Sequence, residues 1–295
     1  MEMEEMVKRV IHEHERSGKY ALIDGLKIFY LDKGEGEPIF CIHGVPTSSF
    51  LYRNIVNNIA AKGHRGIALD LPGLGLSSRP EEFEYLFSNF ARLCQKLLDH
   101  LGIVQFHLVI HDIGAPIGLA LAAANQERVK SITVLNSMLD IKNFTKPLPM
   151  RPFEKPLLGE AELATLNYTT WKLMLKYSGV EDTDTLPEAE LSAYMDLLKR
   201  EDGGKAFLKI MRNFEQTEGF SRLCYSAVHN APYPIQLIWG KNDRFLDYDT
   251  YAQDFLKAAP QAKAYTVESK HFLQEEFPGF IAEKVVELVE QETAR

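Results

Sequence analysis

Apolar and polar positions along the chain fall into two alternating textures. Short apolar runs at 19–23, 26–32, 38–42, 65–71, 106–112, 129–136, 234–239 and 262–268 read as strands. Patterns with a period near 3.6 at 47–61, at 88–101 and from 277 onward read as helices. The first two runs are joined by Asp24-Gly25, a compact hairpin signal. Strand and helix in regular alternation predict βαβ units and a mostly parallel sheet flanked by helices. From 139 to 229 the alternation stops, leaving helical patterns and proline-containing loops. The expected organisation is therefore an α/β core made of 1–138 and 230–295, with a helical cap at 139–229 inserted after the sixth strand. Such an insertion would lie over the carboxyl edge of the sheet, where open α/β folds bind ligands.

Composition narrows the function classes. The 295 residues carry a net charge of −8, which argues against a nucleic-acid partner because such surfaces are normally basic. Cys41, Cys94 and Cys224 are widely spaced and lack metal-ligand spacing, so they read as buried thiols in a reducing compartment. The N-terminus is acidic and has no apolar h-region, and no apolar run reaches membrane-spanning length. These features predict a cytoplasmic chain with neither a membrane nor a nucleic acid as partner; a small-molecule substrate and a monomer or homodimer are expected without being fixed by composition.

Chemistry concentrates in one segment. The run Phe106-His-Leu-Val-Ile-His-Asp112 ends abruptly and is followed by Ile-Gly-Ala-Pro-Ile-Gly118, which is competent to start a helix. A strand, a sharp turn and a helix in that order lift one side chain above the sheet edge. Here that side chain is a carboxylate, which attacks a saturated electrophilic carbon and is left holding an ester. Clearing the ester needs a base to activate water, and the base needs an orienting acid. His271, just after the last apolar run, and Asp243, in Trp239-Gly-Lys-Asn-Asp243, supply both in the order nucleophile, acid, histidine. Asp140 is a reserve candidate for the acid.

With these motifs, the chain resembles an α/β-hydrolase of the haloalkane dehalogenase and epoxide hydrolase branch over nearly its whole length. The segments His43-Gly-Val-Pro-Thr-Ser-Ser-Phe-Leu-Tyr-Arg-Asn54, Asp70-Leu-Pro-Gly-Leu-Gly-Leu-Ser77 and His271-Phe-Leu-Gln-Glu-Glu276 carry the rest of the likeness. The resemblance implies a cofactor-independent and metal-free hydrolase. It has Asp112 as nucleophile, His271 as base, Asp243 as orienting acid, and the backbone N–H groups of Val45 and Ile113 as oxyanion donors. His43 and His111, which flank the site in sequence, read as structural.

The sequence also departs from that pattern. Dehalogenases of the branch hold halide with a Trp directly after the nucleophile and often an Asn after the His-Gly pair, where this chain has Ile113 and Val45. Neither side chain donates a hydrogen bond. Epoxide hydrolases use cap tyrosines instead, and the 139–229 segment offers Tyr168, Tyr177, Tyr194 and Tyr225, with His229 at its end and Trp171 as a further donor. An epoxide-type substrate is therefore slightly favoured, with an organohalide or a β-lactone as alternatives on the same machinery. A non-catalytic ligand-binding protein on the same fold is the reading from another class. Finally, Lys270 stands where the family usually places Gly before the histidine.

Overall fold

A computed structural model of the chain describes residues 2–293. Eight strands form one sheet: β1 (Lys19–Ile23), β2 (Leu26–Lys33), β3 (Pro38–Ile42), β4 (Arg65–Leu69), β5 (Phe106–Asp112), β6 (Val129–Ser137), β7 (Ile235–Gly240) and β8 (Lys263–Val267). Their order across the sheet is β1-β2-β4-β3-β5-β6-β7-β8. All eight expected runs are strands, although β4 stops at Leu69 rather than continuing to Leu71. The chain turns there because the Asp70 carboxylate takes the backbone N–H groups of Ser49 and Leu76, each at 2.6 Å. Among the described strands only β2 runs against the rest, pairing antiparallel with β1 and with β4. The β1–β2 hairpin turns on Asp24 and Gly25, both at positive φ, the conformation a two-residue hairpin loop requires. Every residue of β5 is buried, as expected for a central parallel strand covered on both faces.

The helices are α1 (Glu2–Ser17), α2 (Arg53–Ala61), α3 (Phe87–His100), α4 (Gly114–Ala124), α5 (Leu158–Thr165), α6 (Tyr168–Met174), α7 (Glu188–Lys199), α8 (Lys205–Arg212), α9 (Glu218–Ser226), α10 (Gln253–Ala258), α11 (Leu273–Glu276) and α12 (Pro278–Thr293). None is long and apolar enough to cross a membrane. Helix α4 is apolar all round and packs between α3 and α9, while α12 packs against α2. Between β6 and β7 the described residues contain no strand, only α5–α9 and short helical turns. The expected helix at 47–61 opens as a tight turn, Ser49–Tyr52, before α2 begins.

Helix α1 was not anticipated. It buries Val7 and His14, packs along α7, and seats His14 against the rings of Phe29 and Phe50, each 5.1 Å away. The three cysteines are buried, and burial raises their thiol pKa values. The strand order reverses direction between β3 and β5, which lie side by side. In open α/β sheets the crevice at such a reversal, outside the carboxyl ends of the strands, is where ligands bind. Val45 follows β3 and Asp112 ends β5, so both arrive at this point.

Candidate active site

Asp112 is held in a conformation that side chains other than Gly rarely adopt, with φ at +52°. A residue in that region stores roughly 1–3 kcal/mol of strain, tolerated only where the surroundings enforce it. Two glycines make the turn possible. A Cβ on Gly114 would come within 2.3 Å of the Ile42 carbonyl, and one on Gly44 within 2.1 Å of Asp112 Oδ1. The Ser137 hydroxyl donates to the Asp112 carbonyl at 2.6 Å and holds the turn from the neighbouring strand.

The carboxylate faces two backbone donors. Val45 N–H reaches Asp112 Oδ1 at 2.8 Å, and Ile113 N–H also hydrogen-bonds to the side chain. A helix start by itself favours the charged carboxylate. Burial instead pushes the carboxyl upward, outweighing the downward pull of His271 and of these two N–H groups.

His271 sits in the loop after β8 with Nε2 at 3.7 Å from Asp112 Oδ2, too long for a direct hydrogen bond. Its other nitrogen, Nδ1, is 2.8 Å from Asp243 Oδ2. Burial disfavours the charged imidazolium, but the carboxylates of Asp243 and Asp112 outweigh it and raise the histidine pKa. Asp243 is 3 % exposed. Burial would raise its carboxyl, but His271, the Asn136 amide at 2.6 Å and the Phe245 N–H at 2.7 Å bring it below the usual range. The Leu246 N–H adds a further donor at 3.1 Å. Asp140, the reserve acid, instead takes the backbone and side-chain N–H groups of Asn143.

The two flanking histidines are engaged in structure. Leu71 N–H donates to His43 Nε2 at 3.0 Å, so Nδ1 carries the proton and donates to the Gly44 carbonyl at 2.7 Å. His111 Nε2 is 2.9 Å from the His271 carbonyl and supports the loop from below. Burial keeps both imidazoles neutral, with His43 lowered to about 4.

Asp112 and His271 open onto a cavity between the sheet edge and the 139–229 segment. Its wall is apolar, with four methionines, Met138, Met150, Met174 and Met211. Such side chains adapt to substrates of varied shape. Five expected donors do not line it, among them Tyr194, whose hydroxyl donates to Glu275. Trp171 is buried but its Nε1–H donates to the Leu191 carbonyl at 2.8 Å, tying α6 to α7. The Tyr168 hydroxyl donates to Glu188 on the surface. Tyr225 is half-buried and packs against the core. Tyr177 is 53 % exposed and stacks under the Arg244 guanidinium, 4.6 Å from its ring centre. The cause at Tyr177 is local: Leu175–Gly179 is a widened π-helical turn that buries Leu175 and Ser178 and turns Tyr177 outward.

Sequence reasoning missed Asn136, Ser137 and Lys146. Asn136 orients Asp243 and also accepts the Gly240 N–H at 2.7 Å, a role without a motif. Lys146 is buried on the cavity wall, paired with Glu154 at 2.7 Å and 3.6 Å from the centre of the Phe214 ring. Burial lowers its pKa, and Glu154 opposes the shift.

Comparison with known proteins places this arrangement in context. Residues 37–278 match the family model described as the alpha/beta hydrolase fold. Haloalkane dehalogenase 2 of Mycobacterium bovis is 27% identical over 88% of this chain and 91% of its own. A cis-3-alkyl-4-alkyloxetan-2-one decarboxylase of Shewanella oneidensis is 38% identical, over 43% of this chain and 41% of its own. Among solved structures, haloalkane dehalogenase DbeA from Bradyrhizobium elkani is 25% identical, with a TM-score of 0.79 over 94% of this chain and 99% of its own. The epoxide hydrolase CorEH superposes with a TM-score of 0.75 at 19% identity, covering 92% of this chain and 97% of its own, a likeness of fold alone.

Proposed function

The chain belongs to the α/β-hydrolase family, and from that premise we propose that it opens an electrophilic carbon through an ester on Asp112. Asp112 Oδ2 attacks a saturated carbon and the bond from that carbon to the leaving group breaks. The new ester carries no charge, so His271 loses one of the two carboxylates that favour its protonated form. Neutral His271 then accepts a proton from water through Nε2 as the water oxygen attacks Asp112 Cγ. Asp112 Oδ1 becomes the oxyanion where Val45 N–H already points at 2.8 Å, with Ile113 N–H as the second donor. On collapse the His271 imidazolium returns its proton to the departing alkoxide, which releases the product alcohol, and the Asp112 carboxylic acid loses its proton to solvent to restore the carboxylate. The 139–229 segment acts as the cap that shapes the substrate cavity.

The observation that carries this reading is Asp112 at φ +52° facing an oriented, otherwise unengaged His271 Nε2. A protein that only bound ligand would gain nothing from holding a carboxylate in strain beside a buried base.

The leaving group decides the substrate. An epoxide releases an alkoxide that needs a proton, and among the described residues the cavity wall holds no tyrosine to give one. A halide needs donors that Ile113 and Val45 lack. A β-lactone attacked at its β-carbon releases a carboxylate, which spreads its own charge and needs no proton. We therefore place a dialkyl β-lactone first, supported by the local likeness to the Shewanella oneidensis oxetanone decarboxylase. An organohalide is second, supported by the dehalogenase relative.

The test is trapping. His271→Gln is incubated separately with a 3,4-dialkyl β-lactone, a 1-bromoalkane and a terminal epoxide, followed by intact mass and peptide mapping. The expected result is an adduct of the whole lactone on Asp112, absent in an Asp112→Asn control. Labelling only by the bromoalkane replaces the lactone with an organohalide. A folded protein labelled by no probe removes the nucleophile assignment.

A further inference from the structure

The loop that carries His271 is hydrogen-bonded to the 139–229 segment through consecutive residues. The Lys270 ammonium donates to the Lys176 carbonyl at 2.8 Å and the Val180 carbonyl at 2.9 Å. His271 N–H donates to the Ser178 carbonyl at 3.1 Å, and Phe272 N–H to the Gly179 carbonyl at 2.7 Å. All four carbonyls belong to the π-helical turn Leu175–Gly179 or the residue that follows it. A helix end leaves its last carbonyls without partners of their own, and this turn offers them to the base loop. Lys270 is 8 % exposed, and its φ is negative. The lysine therefore fits where the family usually has Gly, and it sends its charge into the turn rather than into solvent.

The other side of the same turn faces the cavity. Ser178 and the preceding Met174 line it together with His271 and Phe272. A substrate seated against the turn thus presses on the structure to which the base is attached. Packing is close: a Cβ on Gly179 would meet Leu175 Cδ2 at 2.7 Å and Phe272 Cδ2 at 3.0 Å.

We propose that Lys270 is a positioning residue that joins the base loop to the substrate-facing π-helical turn, so that cavity occupancy sets His271 for ester hydrolysis. The inference rests on the Asp112–His271 reading above. Lys270 touches neither substrate nor reacting atoms, and it acts on the second chemical step only, because His271 is not needed for the attack of Asp112 on carbon.

The experiment follows the two steps separately, by rapid-quench mass spectrometry of the Asp112 ester with whichever probe labels the protein. Lys270→Met is expected to form the ester at close to the native rate. It should hydrolyse the ester about 10- to 100-fold more slowly, the loss that a displacement near 1 Å costs. Steady-state turnover should then show a burst, and kcat should fall with KM. Lys270→Arg, which keeps the charge and the donors, should restore most of the hydrolysis rate. Gly179→Ala keeps Lys270 but pushes the turn off the loop, and should reproduce the defect even if Lys270→Met folds poorly. Equal slowing of both steps, or ester hydrolysis at the native rate in folded Lys270→Met, overturns the proposal. Failure of the native chain to form any ester instead overturns the nucleophile assignment on which it stands.

Discussion

Asp243→Asn separates a merely buried histidine partner from an orienting acid. Asp243 Oδ1 accepts the Phe245 and Leu246 N–H groups at 2.7 and 3.1 Å, so an asparagine there must turn its carbonyl oxygen toward them. Its NH2 then faces His271 Nδ1, which the carboxylate had held at 2.8 Å, and the Asn136 amide, which had been a donor at 2.6 Å. His271 is forced to accept through Nδ1 and to carry its proton on Nε2, the wrong tautomer for taking one from water. A swap of this kind in a catalytic triad lowers turnover by about 10⁴. The pH dependence moves as well. Removing a carboxylate at this range withdraws up to about 4 kcal/mol of support for the imidazolium at an effective dielectric near 20. In the native chain, hydrolysis should rise with pH as His271 loses its proton, because its neutral form is the base and Asp243 favours the charged form. In the variant the remaining activity should rise at lower pH. The assay is single-turnover hydrolysis of the Asp112 ester across pH, read by mass. Ester hydrolysis within about tenfold of native, or a limb displaced to higher pH, would refute the orienting role of Asp243.

Two further outcomes follow from the cavity. Gly44→Ala places a methyl group 2.1 Å from Asp112 Oδ1 and should abolish ester formation, while thermal unfolding shows the protein still folded; a variant labelled at the native rate would remove the close approach from the mechanism. Lys146→Met removes the buried lysine on the cavity wall and should slow lactone labelling by about tenfold relative to bromoalkane labelling, because only the lactone leaves a carboxylate inside the pocket. Equal effects on the two probes would show that Lys146 only supports the wall.

How much was legible in the sequence follows from what each feature depends on. The strands could be read because β5 and its neighbours are buried on both faces and leave unbroken apolar runs. Asp112, His271 and Asp243 could be singled out because each lies at or just beyond the carboxyl end of a strand, beside motifs spaced by local turn geometry. Helix α1 was overlooked because its buried face is sparse, Val7 and His14 among charged neighbours, and makes sense only once Phe29, Phe50 and α7 are in place. The 139–229 side chains failed for a sharper reason. Orientation on a helix follows from a period of 3.6, and Leu175–Gly179 breaks that period by one residue in a turn. One widened turn is enough to send Tyr177 to solvent and to bring Ser178 to the cavity.

The same turn links two departures that looked unrelated in the sequence. Ile113 in place of a donor removes the means of holding a halide beside the nucleophile, and Lys270 in place of Gly before the base adds a cation. Lys270 does not compensate for Ile113 electrostatically, since its ammonium is held by the Lys176 and Val180 carbonyls with the Glu181 carboxylate 3.7 Å away, and it is not among the residues lining the cavity. What it changes is the attachment of the base. On the proposed mechanism the two departures act on different steps: Ile113 limits which leaving groups can depart when Asp112 attacks, and Lys270 bears on how His271 meets the ester afterward. Substrate choice and ester hydrolysis should accordingly vary independently, with Ile113→Trp altering which probe labels Asp112 and Lys270→Met altering only how long the label lasts.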